Sequence, residues 1–387
     1  MSATLVENIQ MVDLKTQYQR LKPEIDAAIQ QCLDRTDFIN GGAVREFQQN
    51  LAAFLWANRV VTCANGTDAL QLAMMGLGLK PGDEVIVPAF TYVATAEVIA
   101  LLGLTPVWVD VDPNTFTLTA ENVEKALTSR TKAVVPVHLF GQCADMEPLL
   151  ELTTAHKLFV IEDVAQALGS EYEFADGSVE SAGTIGHVGC TSFFPSKNLG
   201  CYGDGGAMIT NDTDLADRLQ MIANHGQRKK YIHEIIGVNS RLDTLQAAVL
   251  NVKLPHLHDF NRQRQIAAAC YDSLLKEVPG IQTPVVTASS SHVYHQYTLT
   301  VPTEMRDGLR AHLQSHGIPS MVYYPLPLHL QPAYYDARFP AGSFPVAERL
   351  SQQVLSLPIH TEMVAEQQEL IASVISDFMT DKKLIQA

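Results

Sequence analysis

The chain has 387 residues, 47% of them hydrophobic and 18% charged, which supports a sizeable core and excludes bulk disorder. Its 42 Asp and Glu against 27 Lys and Arg give a formal net charge of −15, which argues against a global nucleic-acid or anionic-membrane surface. Six scattered cysteines without a Cys-x-x-Cys pair, most of them inside apolar runs, fit buried free thiols in a reducing compartment.

The opening, Met1 to Asn8, lacks a basic start followed by an apolar run, so no signal peptide is expected. No apolar stretch approaches the roughly 20 residues that span a bilayer, and a soluble, cytoplasmic protein is the expectation. Residues 12–58 read as helical, with Pro23 near a helix start and a break at Asn40-Gly41-Gly42. Val60 to Cys63 reads as a strand, Asn65-Gly66-Thr67 as a tight turn and Asp68 to Leu77 as a helix. The alternation continues. Strands are expected at Glu84–Val87, Pro106–Val111, Ala133–Val137 and Leu158–Ile161, and helices at Tyr92–Leu102, Glu121–Leu127 and Met146–His156. Strands that are continuous Val/Ile runs and alternate with helices mean a parallel sheet covered on both faces.

Cys190 to Phe194 reads as a further strand, followed by Pro195-Ser196-Lys197 and a glycine-rich turn, then a strand at Ala207–Thr210. Residues 213–224 read as a helix, and 241–279 as one long helix across Pro255. From about 291 the pattern changes to an α+β module. Strands are expected at Tyr294–Leu299 and Ile318–Tyr323, and helices at Glu304–His316, Val346–Val354 and Ala365–Phe378. The expected division is 1–254 and 255–387, in line with the domain sizes usual for such a length.

Ligands of parallel sheets bind beyond the carboxyl ends of the strands. Asn65-Gly66-Thr67, Phe90-Thr91-Tyr92, Asp163 and Lys197 all follow predicted strands, so they should converge on one rim. Each fits two readings. Asn65-Gly66-Thr67 is an anion site at a helix start or a plain cap. Tyr92 stacks on an aromatic ligand or packs in the core. Asp163 is a buried acid in need of a cation or an ordinary strand-end acid. Lys197 is a desolvated amine suited to covalent catalysis or an exposed loop residue. Among the 13 histidines, His312 and His316 are one helical turn apart without the glutamate of a zinc protease, and they read as surface residues, as do His256 and His258.

In order, the anion turn, the aromatic, the strand-end acid and the lysine follow one plan. The motifs are Ala64-Asn65-Gly66-Thr67-Asp68-Ala69-Leu70, Pro88-Ala89-Phe90-Thr91-Tyr92-Val93-Ala94-Thr95-Ala96, Glu162-Asp163-Val164-Ala165-Gln166, Ser192-Phe193-Phe194-Pro195-Ser196-Lys197 and Gly237-Val238-Asn239-Ser240-Arg241-Leu242-Asp243. With them the chain resembles the DegT/DnrJ/EryC1/StrS sugar aminotransferases from Val12-Asp13-Leu14 to about Leu357-Pro358. The resemblance implies an α/β protein of fold type I. That fold has a large domain with a mostly parallel seven-stranded sheet flanked by helices, plus a smaller C-terminal α+β domain.

It also implies pyridoxal 5'-phosphate as cofactor. Lys197 would hold it covalently, and Asp163 would pair with the ring nitrogen. Gln166 would sit beside the phenolic oxygen, and Tyr92 would stack on the ring. Gly66, Thr67 and Ser192 would hold the phosphate, with Asn239 reaching it from the neighbouring subunit of a homodimer. Arg241, Tyr323 and Tyr324 would meet substrate. The implied reaction moves an amino group from L-glutamate to a nucleotide-linked keto-sugar. The wording is most similar to enzymes that aminate UDP-2-acetamido-3-keto-glucuronate for surface polysaccharide, the O-antigen of lipopolysaccharide among them. Tyr323-Tyr324-Pro325 departs from the His-Tyr-Pro of that group. Arg228, Lys229 and Lys230 suit a uronate, a diphosphate or a solvated loop. The alternatives are a dTDP-keto-deoxysugar aminotransferase, a sugar dehydratase, a non-catalytic regulator on the same scaffold, or amine transfer in an aminocyclitol or aminohydroxybenzoate pathway. Against the dehydratase and the regulator stand the presence of Lys197 and Asp163 and the lack of a cysteine cluster.

Overall fold

The computed structural model describes residues 9–386, so the reading of Met1–Asn8 lies outside the described residues. In chain order the elements are α1 (Leu14–Arg35), α2 (Gly42–Leu55), β1 (Arg59–Cys63), α3 (Gly66–Gly76), β2 (Glu84–Pro88), α4 (Ala94–Leu101), β3 (Thr105–Val109), α5 (Ala120–Ala126), β4 (Thr131–Val134), α6 (Met146–Ala155) and β5 (Phe159–Asp163). Then follow β6 (Glu171–Glu173), β7 (Val179–Ser181), β8 (Val188–Ser192), β9 (Gly206–Thr210), α7 (Thr213–Ile222), β10 (Gln227–Lys229), β11 (Ile232–His233), α8 (Thr244–Lys253), α9 (Leu257–Leu275), β12 (Tyr297–Thr300), α10 (Thr303–Ser315), α11 (Pro345–Gln353), β13 (Val354–Leu357) and α12 (Ala365–Gln386).

Seven strands form one sheet in the order β1-β9-β8-β5-β4-β2-β3. Only β9 runs against its neighbours: β8 and β1 both pair with it antiparallel, while β2/β3, β2/β4, β4/β5 and β5/β8 are parallel. Every residue of β2 is buried, as the unbroken apolar strands require when helices cover both faces. One face packs on α3, α4 and α7, the other on α5 and α6. A separate core forms around the β12/β13 pair from α9, α10 and α12, and Ile9 joins it. Leu328, Phe344, Ala347 and Leu350 pack instead on the core of the large sheet. Among the described residues no helix is long and apolar enough to cross a membrane.

Three local readings are corrected. Pro23 lies inside α1 rather than near its start. The single helix expected over 241–279 is two helices, α8 and α9, joined by a short 3-10 turn at Leu254–His256; Pro255 there lacks the N–H that would continue α8. Ile318–Tyr323 is not a strand. It makes one isolated bridge, Met321 to Ser356, on the edge of β13 away from β12, and it ends at a cis peptide bond between Tyr323 and Tyr324.

Candidate active site

Because β1, β2, β5 and β8 run in the same direction, their carboxyl ends open on one rim. A cavity of about 620 Å³ stands there. Gly66, Thr67, Tyr92, Asp163, Gln166, Ser192, Lys197, Tyr323 and Tyr324 all line it, so nine of the eleven residues singled out in the sequence come together.

At the turn after β1, Asn65 caps α3, its Oδ1 accepting from the Asp68 N–H at 2.8 Å. The cap reading and the anion reading are therefore compatible. The cap takes one orphan donor, and Gly66 and Thr67 remain at the positive end of the helix, facing the cavity. Gly66 is dictated by crowding: a Cβ on it would lie 2.7 Å from the Ser192 Cβ. That close approach brings the end of β8 against the start of α3, and places the Ser192 hydroxyl beside the helix terminus.

Asp163 ends β5 and is buried. Its Oδ2 accepts from the Thr95 hydroxyl at 2.9 Å and its Oδ1 from the Ala165 N–H at 3.2 Å. Burial raises its pKa, against those two hydrogen bonds and the nearby Lys197 and His138. A buried carboxylate held by two donors still lacks a full counter-charge. Lys197 sits in the turn beyond β8, where its backbone N–H bonds the Phe194 carbonyl at 2.8 Å. Burial lowers the amine to about 8, opposed by the attraction of Asp163. This is the desolvated amine that the exposed-loop reading would have denied.

On the far wall, Gln166 donates to the Tyr324 hydroxyl at 3.1 Å and accepts the Phe140 N–H at 2.8 Å. The Tyr324 ring lies 6.1 Å from both Phe90 and Tyr92, and Tyr92 keeps an exposed face. Asn239 and Arg241 do not line this cavity. Asn239 is exposed and makes an isolated bridge to Asn224, while Arg241 is half-buried. Arg228 and Lys229 on β10, with Lys230 after them, are exposed and also lie off the cavity, Arg228 standing 3.9 Å from Asp217. His316 is exposed, as expected, but His312 is half-buried against Phe378. Among the described residues no group of three or more His, Cys, Asp or Glu is placed to hold a metal.

Sequence reading missed five contributors. Thr95 reaches Asp163 across 68 positions. His295 and Gln296 line the cavity from the segment before β12. Glu162 and His138, buried behind Asp163, form a hydrogen-bonded pair at 2.9 Å. Thr95 lay one turn past Tyr92 and was the one with a legible signal.

The residues present fit a phosphorylated, cationic aromatic aldehyde. A helix start and hydroxyls suit the phosphate, a buried acid hydrogen-bonded only to neutral donors suits a protonated ring nitrogen, and a low-pKa amine suits the carbonyl. The family model described as the DegT/DnrJ/EryC1/StrS aminotransferase family matches residues 19–376. A "Pleiotropic regulatory protein" of Geobacillus stearothermophilus is 45% identical over 96% of this chain and 98% of its own. The UDP-2-acetamido-2-deoxy-3-oxo-D-glucuronate aminotransferase of Pseudomonas aeruginosa is 46% identical over 95% of this chain and 100% of its own. The dTDP-3-amino-3,4,6-trideoxy-alpha-D-glucose transaminase of Streptomyces venezuelae is 47% identical over 91% of each chain. The solved structure of S. venezuelae DesV superposes with a TM-score of 0.92 at 44% identity, covering 96% of this chain and 98% of that one.

Proposed function

This chain belongs to the DegT/DnrJ/EryC1/StrS aminotransferase family and is a pyridoxal-phosphate-dependent sugar aminotransferase, and on that premise we propose that it moves an amino group from L-glutamate to a keto group on a nucleotide-linked sugar. The observation that carries the proposal is the meeting of the buried Asp163 carboxyl and the low-pKa Lys197 amine in one cavity.

Pyridoxal phosphate supplies the electron sink that lets an amine and a ketone exchange nitrogen. Lys197 would hold it through Nζ. When free, that Nζ would serve as the base and acid that takes the proton from the donor's alpha carbon and gives one back. Its depressed pKa leaves a useful fraction unprotonated near neutral pH. Asp163, its carboxyl aimed by Thr95 and the Ala165 N–H, would pair with the ring nitrogen. Gly66, Thr67 and Ser192 would hold the phosphate, Gln166 would stand by the phenolic oxygen, Tyr92 would cover the ring, and Tyr323 and Tyr324 would meet the sugar. Asn239 and Arg241 serve the site of a neighbouring copy, so the working enzyme is a cytoplasmic homodimer. Their position off their own chain's cavity supports this reading.

Two sugars compete. The P. aeruginosa relative supports UDP-2-acetamido-3-keto-glucuronate, an intermediate toward surface polysaccharide. The equal similarity of the S. venezuelae transaminase supports a dTDP-linked keto-deoxysugar. Glutamate should bleach the cofactor's visible band, and one member of a panel of UDP- and dTDP-linked keto-sugars should restore it. Lys197→Ala should lose both the band and turnover; a variant that keeps them refutes the assignment.

A further inference from the structure

Ser240 belongs to none of the roles above. It is fully buried, and its hydroxyl reaches both sides of the turn that opens α3. That hydroxyl accepts the Ala64 N–H at 3.0 Å, ahead of the turn, and donates to the Asp68 Oδ2 at 2.6 Å, beyond it. Asn65, Gly66, Thr67 and Asp68 line the cavity, whereas Ser240 stands behind them. We propose that Ser240 is a positioning residue for the cofactor phosphate: it holds the Asp68 carboxylate away from the first N–H groups of α3, for which the two anions would otherwise compete. The inference rests on the start of α3 being the phosphate site.

The competition follows from where Asp68 stands. Of the first three N–H groups of α3, that of Asp68 is taken by the Asn65 Oδ1 at 2.8 Å, while those of Gly66 and Thr67 meet no acceptor among the described residues. Unpaired N–H groups and the helix dipole attract any anion at this end. A carboxylate in the first turn and a phosphate therefore seek the same donors. A phosphate monoester carries a charge of about −1.5 to −2 at neutral pH, so a carboxylate among those donors would also repel it. In the structure Asp68 is drawn the other way, onto Ser240, by a short hydrogen bond to a charged acceptor.

Ser240 can serve as an anchor because its own backbone is held. Its N–H donates to the Ala223 carbonyl at the end of α7 at 3.0 Å, and the neighbouring Asn239 bridges to Asn224. Helix α7 packs with α3 in one core. The anchor and the turn thus share one support, and the Asp68 carboxylate is the group that the hydroxyl steers.

The test uses the full-length protein freed of cofactor. Binding of pyridoxal phosphate, and of pyridoxal, which lacks the phosphate, is followed by the visible absorbance that each gains on Lys197, with inorganic phosphate as a competitor. Ser240→Ala should bind pyridoxal phosphate about tenfold more weakly, the effect of one hydrogen bond to a charged group, with pyridoxal unchanged and phosphate a weaker competitor in proportion. Asp68→Asn removes the competing charge. Alone it should bind pyridoxal phosphate at least as tightly as wild type, and added to Ser240→Ala it should recover most of the loss. A displaced Asn239 would also weaken phosphate binding in a neighbouring copy, but removing the Asp68 charge would not repair that. Equal losses for pyridoxal phosphate and pyridoxal, an unaffected Ser240→Ala, a double variant no better than Ser240→Ala, or an Asp68→Asn protein weaker than wild type each overturns the proposal. A wild type that holds pyridoxal as tightly as pyridoxal phosphate would instead sink the placement of the phosphate at α3. Should Ser240→Ala fail to fold, Ser240→Cys, close in shape and a weak donor, takes its place with the same expected results.

Discussion

Replacing Glu162 by Gln tests how the reacting acid is held. Glu162 is fully buried on the strand face opposite Asp163. Its Oε1 accepts the N–H groups of Ile185 at 2.9 Å and Gly186 at 2.6 Å. Its Oε2 accepts the Gly183 N–H at 2.9 Å and His138 Nε2 at 2.9 Å. The histidine tautomer is fixed, because its Nδ1 already accepts the Ala144 N–H at 3.1 Å. Glu162 thus faces four donors, and a glutamine turned either way sets its own NH2 against two of them. At about 1–3 kcal/mol per buried donor left unpaired, the loss for two comes to about 2–6 kcal/mol. That is a large share of the roughly 5–15 kcal/mol by which folded proteins are stable. The assay is urea denaturation of wild type, Glu162→Gln and, as a surface control, Glu171→Gln. The midpoint should fall at unchanged slope for Glu162→Gln only. Pyridoxal phosphate affinity should weaken as well, since Asp163 is the next residue and its carbonyl accepts the His138 N–H at 3.0 Å. A Glu162→Gln protein within about 0.5 kcal/mol of wild type, the range of ordinary surface changes, would refute the reasoning.

Asp163→Asn removes the carboxylate proposed to pair with the ring nitrogen. Turnover should fall about 100-fold, equivalent to roughly 3 kcal/mol, while borohydride still labels Lys197; near-normal single-turnover rates would contradict the role. Thr95→Val deletes one of the two hydrogen bonds to that carboxyl and should cost turnover about tenfold, by the same scale, with unchanged fold by circular dichroism. Lys253 is buried, donates to the Gly200 carbonyl at 2.8 Å, and lies over the Tyr202 ring at 4.4 Å. Burial depresses its amine to about 8 from an ordinary value of 10.5. Between those values the unfolded chain binds more protons than the folded one, so this residue's contribution to stability rises with pH. The buried thiols and phenols, pushed up by burial, act in the opposite sense, and the quantity to measure is wild type minus Lys253→Met. That difference should be flat below pH 8 and grow toward pH 10; a difference that shrinks would show that the amine is not depressed.

The fold was legible to the extent that single elements announce themselves. Continuous apolar runs at β2, β3 and β5, in a chain where strands alternate with helices, pointed to a covered parallel sheet, and the strand ends marked the rim. Errors came where tertiary context overrode local pattern. The Ile318–Tyr323 run has strand composition but meets the free edge of β13 at a single bridge. Pro255 sits in an otherwise helical stretch and ends α8 locally.

By itself, the sequence picked out candidate reactive residues at the ends of its strands, because periodicity and turn chemistry are properties of short segments. The three-dimensional packing decided which of them share a cavity. It brought Thr95 to Asp163, set Glu162 and His138 behind it, placed His295 beside Lys197, and left Asn239 and Arg241 outside. Those meetings span elements far apart in the chain. They are fixed by how helices and strands pack against one another, which no local pattern encodes.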